Sequence, residues 1–274
     1  MSKAAVIQMV SGADWQHNLI QAADLIAEAA LQGAKLAVLP ENFAVFNTSQ
    51  LIERGGNEQN SQGPIRQFLS DQAKKNDLWL VGGSLPVLSD SGKRVRSACF
   101  VVDSQGKEQV RYDKIHLFDV DVSDSQSAYR ESDQIEPGDE LIVVDTPIGR
   151  LGLSICYDLR FPGLYQALLD KGAELFCVPA AFTQVTGAAH WEILLRARAI
   201  ETQCYILAAD QGGRHNERRE TFGHSMIIDP WGQVLGQLKK GEGVVSAEID
   251  LQQLQTIREK MPIREHRQSL NYHR

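Results

Sequence analysis

Cys156 closes an apolar, alternating run at residues 151–155, and the chain turns polar at once through residues 157–160 before a helical pattern begins at residues 164–169. A strand, a cysteine and a helix in that order lift a thiol to the end of a sheet, where the backbone N–H of Tyr157 can face a developing oxyanion. The same pattern also suits a small buried hydrophobe, the commonest use of a free cysteine. Two further side chains stand at comparable places. Glu41 follows the apolar run at residues 35–39, through Pro40, and is either a loop or cap residue or a base. Lys114 leaves a strand within Tyr112-Asp113-Lys114-Ile115-His116-Leu117-Phe118, alternating with apolar neighbours; its ammonium either reaches solvent or, given a partner, does chemistry.

Strands and helices must carry these ends, and the pattern supplies them. A strand at residues 4–10 comes first, and Asp14 caps a helix reaching about Gln32, with Leu19, Ala22, Ala23, Ile26 and Ala30 on one stripe and Gly33 as its stop. Pro64 opens a second helix ending near Asn76, and residues 78–88 read as one strand in which Gly82-Gly83 marks a close backbone approach or a bulge. Turns at residues 89–92 and 104–107 bound a strand at residues 97–103. Residues 120–140 form a long polar connection with little periodicity, of the kind that is functional or disordered. Beyond Cys156 come strands at residues 174–179, 204–209, 226–229 and 244–249, a helix at about 188–202 introduced by Thr186-Gly187, and a helix at 251–260. Residues 33–43 align without a gap onto residues 172–182, with Gly, Ala, Leu, Pro and Phe coinciding. That echo is either chance or the mark of two related halves, with residues 180–182 opposite Glu41.

With 274 residues, 43% hydrophobic content and no spacer rich in Pro, Gly or Ser, the chain reads as one compact α/β domain. A net charge of −7 argues against a nucleic-acid or anionic-membrane surface, so an anionic ligand would need its own arginines. Cys99, Cys156, Cys177 and Cys204 form neither a C-x-x-C nor a zinc spacing, a reducing-compartment pattern, and the first strand begins directly after Lys3. The expected location is the cytoplasm, with no membrane span. Cys99, Cys177 and Cys204 are read as core residues. No paired histidine ligands stand out, so neither a catalytic metal nor a cofactor is expected.

Taken together, Leu39-Pro40-Glu41-Asn42-Phe43, the segment around Lys114 and Ile155-Cys156-Tyr157-Asp158-Leu159-Arg160-Phe161-Pro162 resemble the Glu-Lys-Cys set of the nitrilase superfamily, in that family's order. The similarity runs from about Ala4 to Arg267. It departs at Pro162-Gly163 and in the loop at residues 123–127. The resemblance implies a four-layer α/β/β/α sandwich, a catalytic core over about residues 4–250, a tail at 251–274 placed at a subunit interface, and a homodimer or higher homo-oligomer. Within the superfamily the residues at 188–192, 196–205 and 223–232 look most like the amidases of deaminated glutathione, with the neighbouring ω-amidases sharing much of them. Glu131 resembles the family's second glutamate and is assigned to orienting Lys114 or the substrate amide.

The chemistry so implied is hydrolysis of a small-molecule amide without a histidine. A thiol is mostly neutral at pH 7 and needs a base and a cation at hand. Glu41 takes the Cys156 proton and returns it to the departing nitrogen; Lys114 and the Tyr157 N–H hold the oxyanion; a thioester forms and is hydrolysed. For a 2-oxo-acid substrate, Arg160 is expected to clamp the carboxylate, Phe182 and Thr186 to wall the oxo carbon, and Arg214, with His215, Arg218 and Arg219, to meet the leaving end. Two rival readings stand beside this one. A Cys-His pair would draw on His116, His190 or His224. A non-enzymatic interaction or redox-sensing protein would use Cys156 only as an oxidisable thiol.

Overall fold

The computed structural model describes residues 2–46, 50–124 and 128–268. In chain order the first half contains β1 (Ser2–Gln8), α1 (Trp15–Leu31), β2 (Ala34–Val38), α2 (Leu51–Asn57), α3 (Pro64–Asn76), β3 (Trp79–Val81), β4 (Leu85–Leu88), β5 (Val95–Val102) and β6 (Glu108–Asp113). A short hairpin follows, β7 (Asp119–Asp121) and β8 (Ala128–Arg130). The second half contains β9 (Val143–Thr146), β10 (Gly149–Leu153), α4 (Pro162–Asp170), β11 (Leu175–Ala180), α5 (Gln184–Thr202) and β12 (Tyr205–Asp210). It ends with β13 (Ser225–Ile228), β14 (Val234–Leu238), β15 (Gly243–Ile249), α6 (Leu251–Lys260) and α7 (Ile263–Gln268).

Both faces of β1 are buried, and its alternate residues go to different cores. Ala5 and Ile7 join Ala22, Ile26 and Ala29 of α1 and Ile65, Leu69 and Ala73 of α3. Ala4 and Val6 instead join a second core built from the other sheet together with Tyr165 of α4 and Trp191 of α5. A strand apolar on both faces demands a layer on each side, and the result is a four-layer α/β/β/α sandwich. One sheet runs β15-β1-β2-β3-β5-β4, with β6 also paired to β5, and the other runs β14-β13-β12-β11-β10-β9. β1, β2 and β3 are parallel, as are β10, β11 and β12. A parallel bridge between Met9 and Gln211 aligns the two sets, so their C-terminal ends meet at one edge.

Local chemistry explains where the elements start and where the expectations needed changing. Asp14 caps α1 by accepting from the Gln16 and His17 amides at 3.0 and 3.2 Å. The fully buried stripe of α1 is Asn18, Ala22, Ile26 and Ala29, with the expected Leu19 and Ala30 partly buried against the same core. Asn18 is inside because its side chain bonds both Gly12 and the Ala44 carbonyl. Residues 78–88 are two strands, not one: β5 lies between β3 and β4, and the chain turns at Gly82-Gly83. Gly83 has φ +54, and a Cβ there would sit 2.0 Å from the Pro40 carbonyl oxygen. The polar connection at 120–140 holds the β7–β8 hairpin and a 3-10 turn, Glu131–Asp133, whose three-residue pieces are too short to show a period; Ser125 to Ser127 lie outside the described residues. α5 starts at Gln184 under a Thr183 cap, so Thr186 and Gly187 lie within its first turn, and Gly187 faces the Phe222 ring at a distance no side chain would allow. Through Arg267 the C-terminal segment docks on its own chain, by Arg258 to the Ala173 carbonyl and Arg267 to Asp170. The last residues of the expected interface tail, 269–274, lie outside the described residues. No helix among the described residues is long and apolar enough to cross a membrane.

Candidate functional site

At the common strand edge, Glu41, Lys114 and Cys156 arrive from β2, β6 and β10. The loop after β2 is bolted from several directions: Ser84 accepts from the Asn42 amide at 3.0 Å, Ser11 donates to the Phe43 carbonyl at 2.7 Å, and Gln211 donates to the Glu41 carbonyl at 3.1 Å. Lys114 is held by its own backbone, its amide to the Ser97 carbonyl and its carbonyl from the Gly138 amide. Cys156 opens a 3-10 turn, Cys156–Arg160, with φ +48, a left-handed conformation that a non-glycine residue adopts only where the surroundings impose it. Such a bend presents the sulfur at the strand end and the Tyr157 amide beside it.

Two buried groups, Glu41 and Lys114, then meet the partly buried Glu131. The Lys114 ammonium donates to Glu41 Oε1 at 2.7 Å and to both oxygens of Glu131 at 2.8 and 2.9 Å. Glu131 is itself fixed by the Phe118 amide at 2.6 Å. Burial acts to lower the Lys114 pKa, but the Glu131 and Glu41 carboxylates outweigh it and hold the ammonium well above its usual value. Glu131 is pushed up by burial and by Glu41, against the pull of Lys114. For Cys156, burial and then the Glu41 carboxylate hold the thiol well above its ordinary range, opposed by Lys114 and by the Ala181 backbone. A neutral thiol beside a carboxylate that can take its proton, with a fixed cation next to both, is competent for nucleophilic attack on a carbonyl followed by oxyanion stabilisation.

These groups open into a cavity of about 260 Å³. Glu41, Lys114, Glu131 and Cys156 line it, together with Tyr157 and Arg160 of the elbow and Phe182 and Thr186 at the start of α5. Arg160 donates to His190 Nδ1 at 3.2 Å and lies over the rings of Phe182 and Tyr157; among the described residues it pairs with no carboxylate. Arg219 lies over Tyr129 and Phe46, donates to the Ala181 carbonyl at 2.9 Å, and keeps a buried Nη1 without a hydrogen-bond partner among the described residues. Arg130, also at the wall, is engaged by Asp121.

The sequence matches the carbon-nitrogen hydrolase family over residues 3–259. The chain belongs to that family. It is 46% identical, over 97% of its length, to a deaminated glutathione amidase of Yersinia enterocolitica, of which it covers 92%. Its fold matches that of the C. elegans NitFhit protein with a TM-score of 0.89 at 40% identity, covering 97% of this chain and 64% of that one. It also matches Saccharomyces cerevisiae Nit3, a member of branch 10 of the nitrilase superfamily, with a TM-score of 0.85 at 31% identity, covering 95% and 94% of the two chains.

In this carbon-nitrogen hydrolase, of the four loop residues expected at the leaving end only Arg219 lines the cavity; Arg214, His215 and Arg218 do not. Arg214 is exposed and spends its guanidinium on the Asn216 and Glu217 carbonyls of its own loop; Arg219, five positions on, is the residue that turns inward. His215 does not supply positive charge either. Its Nδ1 faces the Ser11 carbonyl at 2.8 Å and its Nε2 the Thr221 hydroxyl at 2.7 Å, and burial lowers its pKa to about 4. The imidazoles weighed for a Cys-His pair are engaged elsewhere: His116 with Asp158 and stacked on Phe161, His190 with Arg160, and His224 stacked on Phe222. Cys99, Cys177 and Cys204 are fully buried in the core. Among the described residues no group of three or more His, Cys, Asp or Glu is arranged to hold a metal ion. Sequence reasoning missed Asp158 and Gln211, whose partners lie mostly far away in the chain, Ile155 beside Asp158 excepted; a lone acid in a turn and a lone glutamine after a strand carry no local signal of it.

Proposed function

We propose that this hydrolase cleaves deaminated glutathione to 2-oxoglutarate and Cys-Gly through a thioester on Cys156. The observation that carries the reading is the Glu41–Lys114–Glu131 cluster beside Cys156, in a cavity also lined by Arg160 and Arg219. Glu41 accepts the thiol proton as Sγ attacks the amide carbon, and Lys114 with the Tyr157 N–H receives the oxyanion. The same proton passes to the leaving nitrogen, the C–N bond breaks, and Cys-Gly departs as an amine. Water then loses a proton to Glu41, attacks the thioester carbon, and the thiolate recovers the proton as it leaves. Glu131 anchors the Lys114 ammonium. A substrate with a carboxylate on each side of the scissile amide suits a cavity lined by more than one guanidinium group: Arg160, with Phe182 and Thr186, is assigned to the 2-oxo-acid end, and Arg219 to the leaving end.

Incubation with synthetic deaminated glutathione, with both products quantified by mass spectrometry, tests the proposal. The expected result is stoichiometric product from the wild type, none from Cys156→Ala, and kcat/KM lower by roughly thirty to a thousandfold in Arg160→Ala. Faster cleavage of glutathione, or of a simple 2-oxo-acid ω-amide, would overturn the substrate assignment.

The same reading takes the chain as one catalytic domain in a cytoplasmic homodimer. Four buried free thiols suit a reducing compartment. Ile193 and Ile200 of α5 and the neighbouring Trp231 are exposed, Gly232 touches Ile200, and Met261 past α6 borders them, making an apolar face suited to a second copy. Light scattering should give a dimer for the wild type and a monomer for an Ile193→Glu, Ile200→Glu variant.

A further inference from the structure

Asp158 lies two residues past Cys156, is fully buried, and accepts four hydrogen bonds on its carboxylate. Oδ2 takes the Tyr112 hydroxyl at 2.6 Å and the Ile155 amide at 2.9 Å. Oδ1 takes the His116 amide at 3.0 Å and His116 Nδ1 at 2.7 Å. The partners fall into two groups. Tyr112 and His116 flank Lys114 at equal spacing, two residues before it and two after; Ile155 is the residue immediately before Cys156. The far end of the turn is held independently, since Arg198 of α5 donates twice to the Leu159 carbonyl, at 3.1 and 2.8 Å.

The geometry points to Asp158 as the positioning residue that fixes Lys114 relative to Cys156, an inference that rests on the roles proposed above for those two groups. Neither strand end reaches the other through the sheets, because β6 and β10 belong to different ones. Beside the ring contacts of His116 with Phe161 and of Phe118 with Tyr157, the carboxylate hydrogen-bonds both segments directly and so links the cation to the sulfur. Oxyanion stabilisation depends on that distance: a displacement of about 1 Å in a catalytic constellation costs roughly a hundredfold in rate. The choice of a carboxylate also follows. Each oxygen receives one backbone N–H, so an amide in its place must turn its NH2 toward a main-chain donor whichever way it is flipped.

The test measures kcat, KM and thermal stability on the proposed substrate for the wild type, Asp158→Asn, Tyr112→Phe and Cys156→Ala. For Asp158→Asn the expected outcome is a kcat lower by about a hundredfold with KM within about threefold of wild type. Tyr112→Phe, which removes one of the four bonds, should lose roughly tenfold in kcat, again at constant KM, and serves as the deciding variant if Asp158→Asn does not fold. A role confined to stability would lower the melting temperature and leave kcat per folded molecule unchanged, and that result in either folded variant overturns the inference. Activity retained by Cys156→Ala would instead overturn the proposed function itself.

Discussion

Burial and the neighbouring Glu41 carboxylate keep the Cys156 proton on sulfur, while the Lys114 ammonium and the Ala181 backbone favour its release. Removing each charge should therefore move the thiol in opposite directions. In Glu41→Gln the thiolate should appear at lower pH than in the wild type, and in Lys114→Met at higher pH, both followed by ultraviolet thiolate absorbance. Turnover should nonetheless fall at least about a hundredfold in both, since one lacks the proposed base and the other the proposed oxyanion donor. A Glu41→Gln thiol titrating above the wild type would show that the carboxylate is not what raises it. At this scale the sequence is readable where a side chain ends a strand: Glu41 and Cys156 each follow an apolar run, Lys114 leaves its strand alternating with apolar neighbours, and the three line one cavity. Glu131 has no such marker, because it sits in a connection without periodicity and only the resemblance singled it out. Arg214 and Arg219 occupy one polar loop, and which of them turns inward is decided by tertiary contacts, such as Arg219 to the Ala181 carbonyl, that leave no trace in spacing.

Elements with a chemical start or stop are the most legible. α3 opens on Pro64 at its first turn and closes where Asp77 turns left-handed; α1 opens on Asp14 and closes before Gly33 at φ +85. The echo between residues 33–43 and 172–182 has matching geometry at its start, since Gly172 has φ +90, and in both copies a helix end leads through that glycine into a buried strand. Beyond the strands the copies differ, one delivering Glu41 and the other Ala181 and Phe182 to the same cavity. Short pieces such as β7 and β8 stay hidden because three residues hold too little alternation. The loop between β12 and β13 carries a pH dependence that follows from its fold. His215 is lowered from 6.5 to about 4 by burial, with Arg219 adding to it and the Ser11 carbonyl and Glu220 opposing. The folded pKa lies below the unfolded one, so the unfolded chain takes up the proton first. The contribution to stability is complete above about pH 6.5 and is lost as the pH falls toward 4, by up to about 3 kcal/mol. Denaturant unfolding at pH 7 and pH 4.5 should show a smaller acid loss in His215→Gln than in the wild type; equal losses would place the titrating group elsewhere.

In the whole molecule, the candidate site lies where the strand ends of two sheets packed face to face meet, and Gln211 bonds to both sides. Its backbone accepts its place from both sides, the Gln211 amide donating to the Ala180 carbonyl at 2.9 Å and the next amide, Gly212, to the Met9 carbonyl at 2.8 Å. Its side chain, fully buried, accepts from the Ser11 amide at 3.0 Å and donates to the Ser11 hydroxyl at 2.9 Å and to the Glu41 carbonyl at 3.1 Å. β12, the end of β1 and the loop carrying Glu41 thus share one amide group. Gln211→Ala leaves the Ser11 N–H and the Glu41 carbonyl buried without these partners, at roughly 1 to 3 kcal/mol for each group. The expected loss is about 2 to 5 kcal/mol, a fall of roughly 5 to 15 °C in melting temperature by calorimetry. Because the freed carbonyl belongs to the residue whose carboxylate meets Lys114, kcat should also fall, by about tenfold or more at a temperature where the variant is fully folded. A variant that melts earlier yet turns over at the wild-type rate would mean that Ser84 and Asn18, which bond Asn42 and Ala44 in the same loop, are enough to place Glu41. The clamp between the sheets would then govern stability alone.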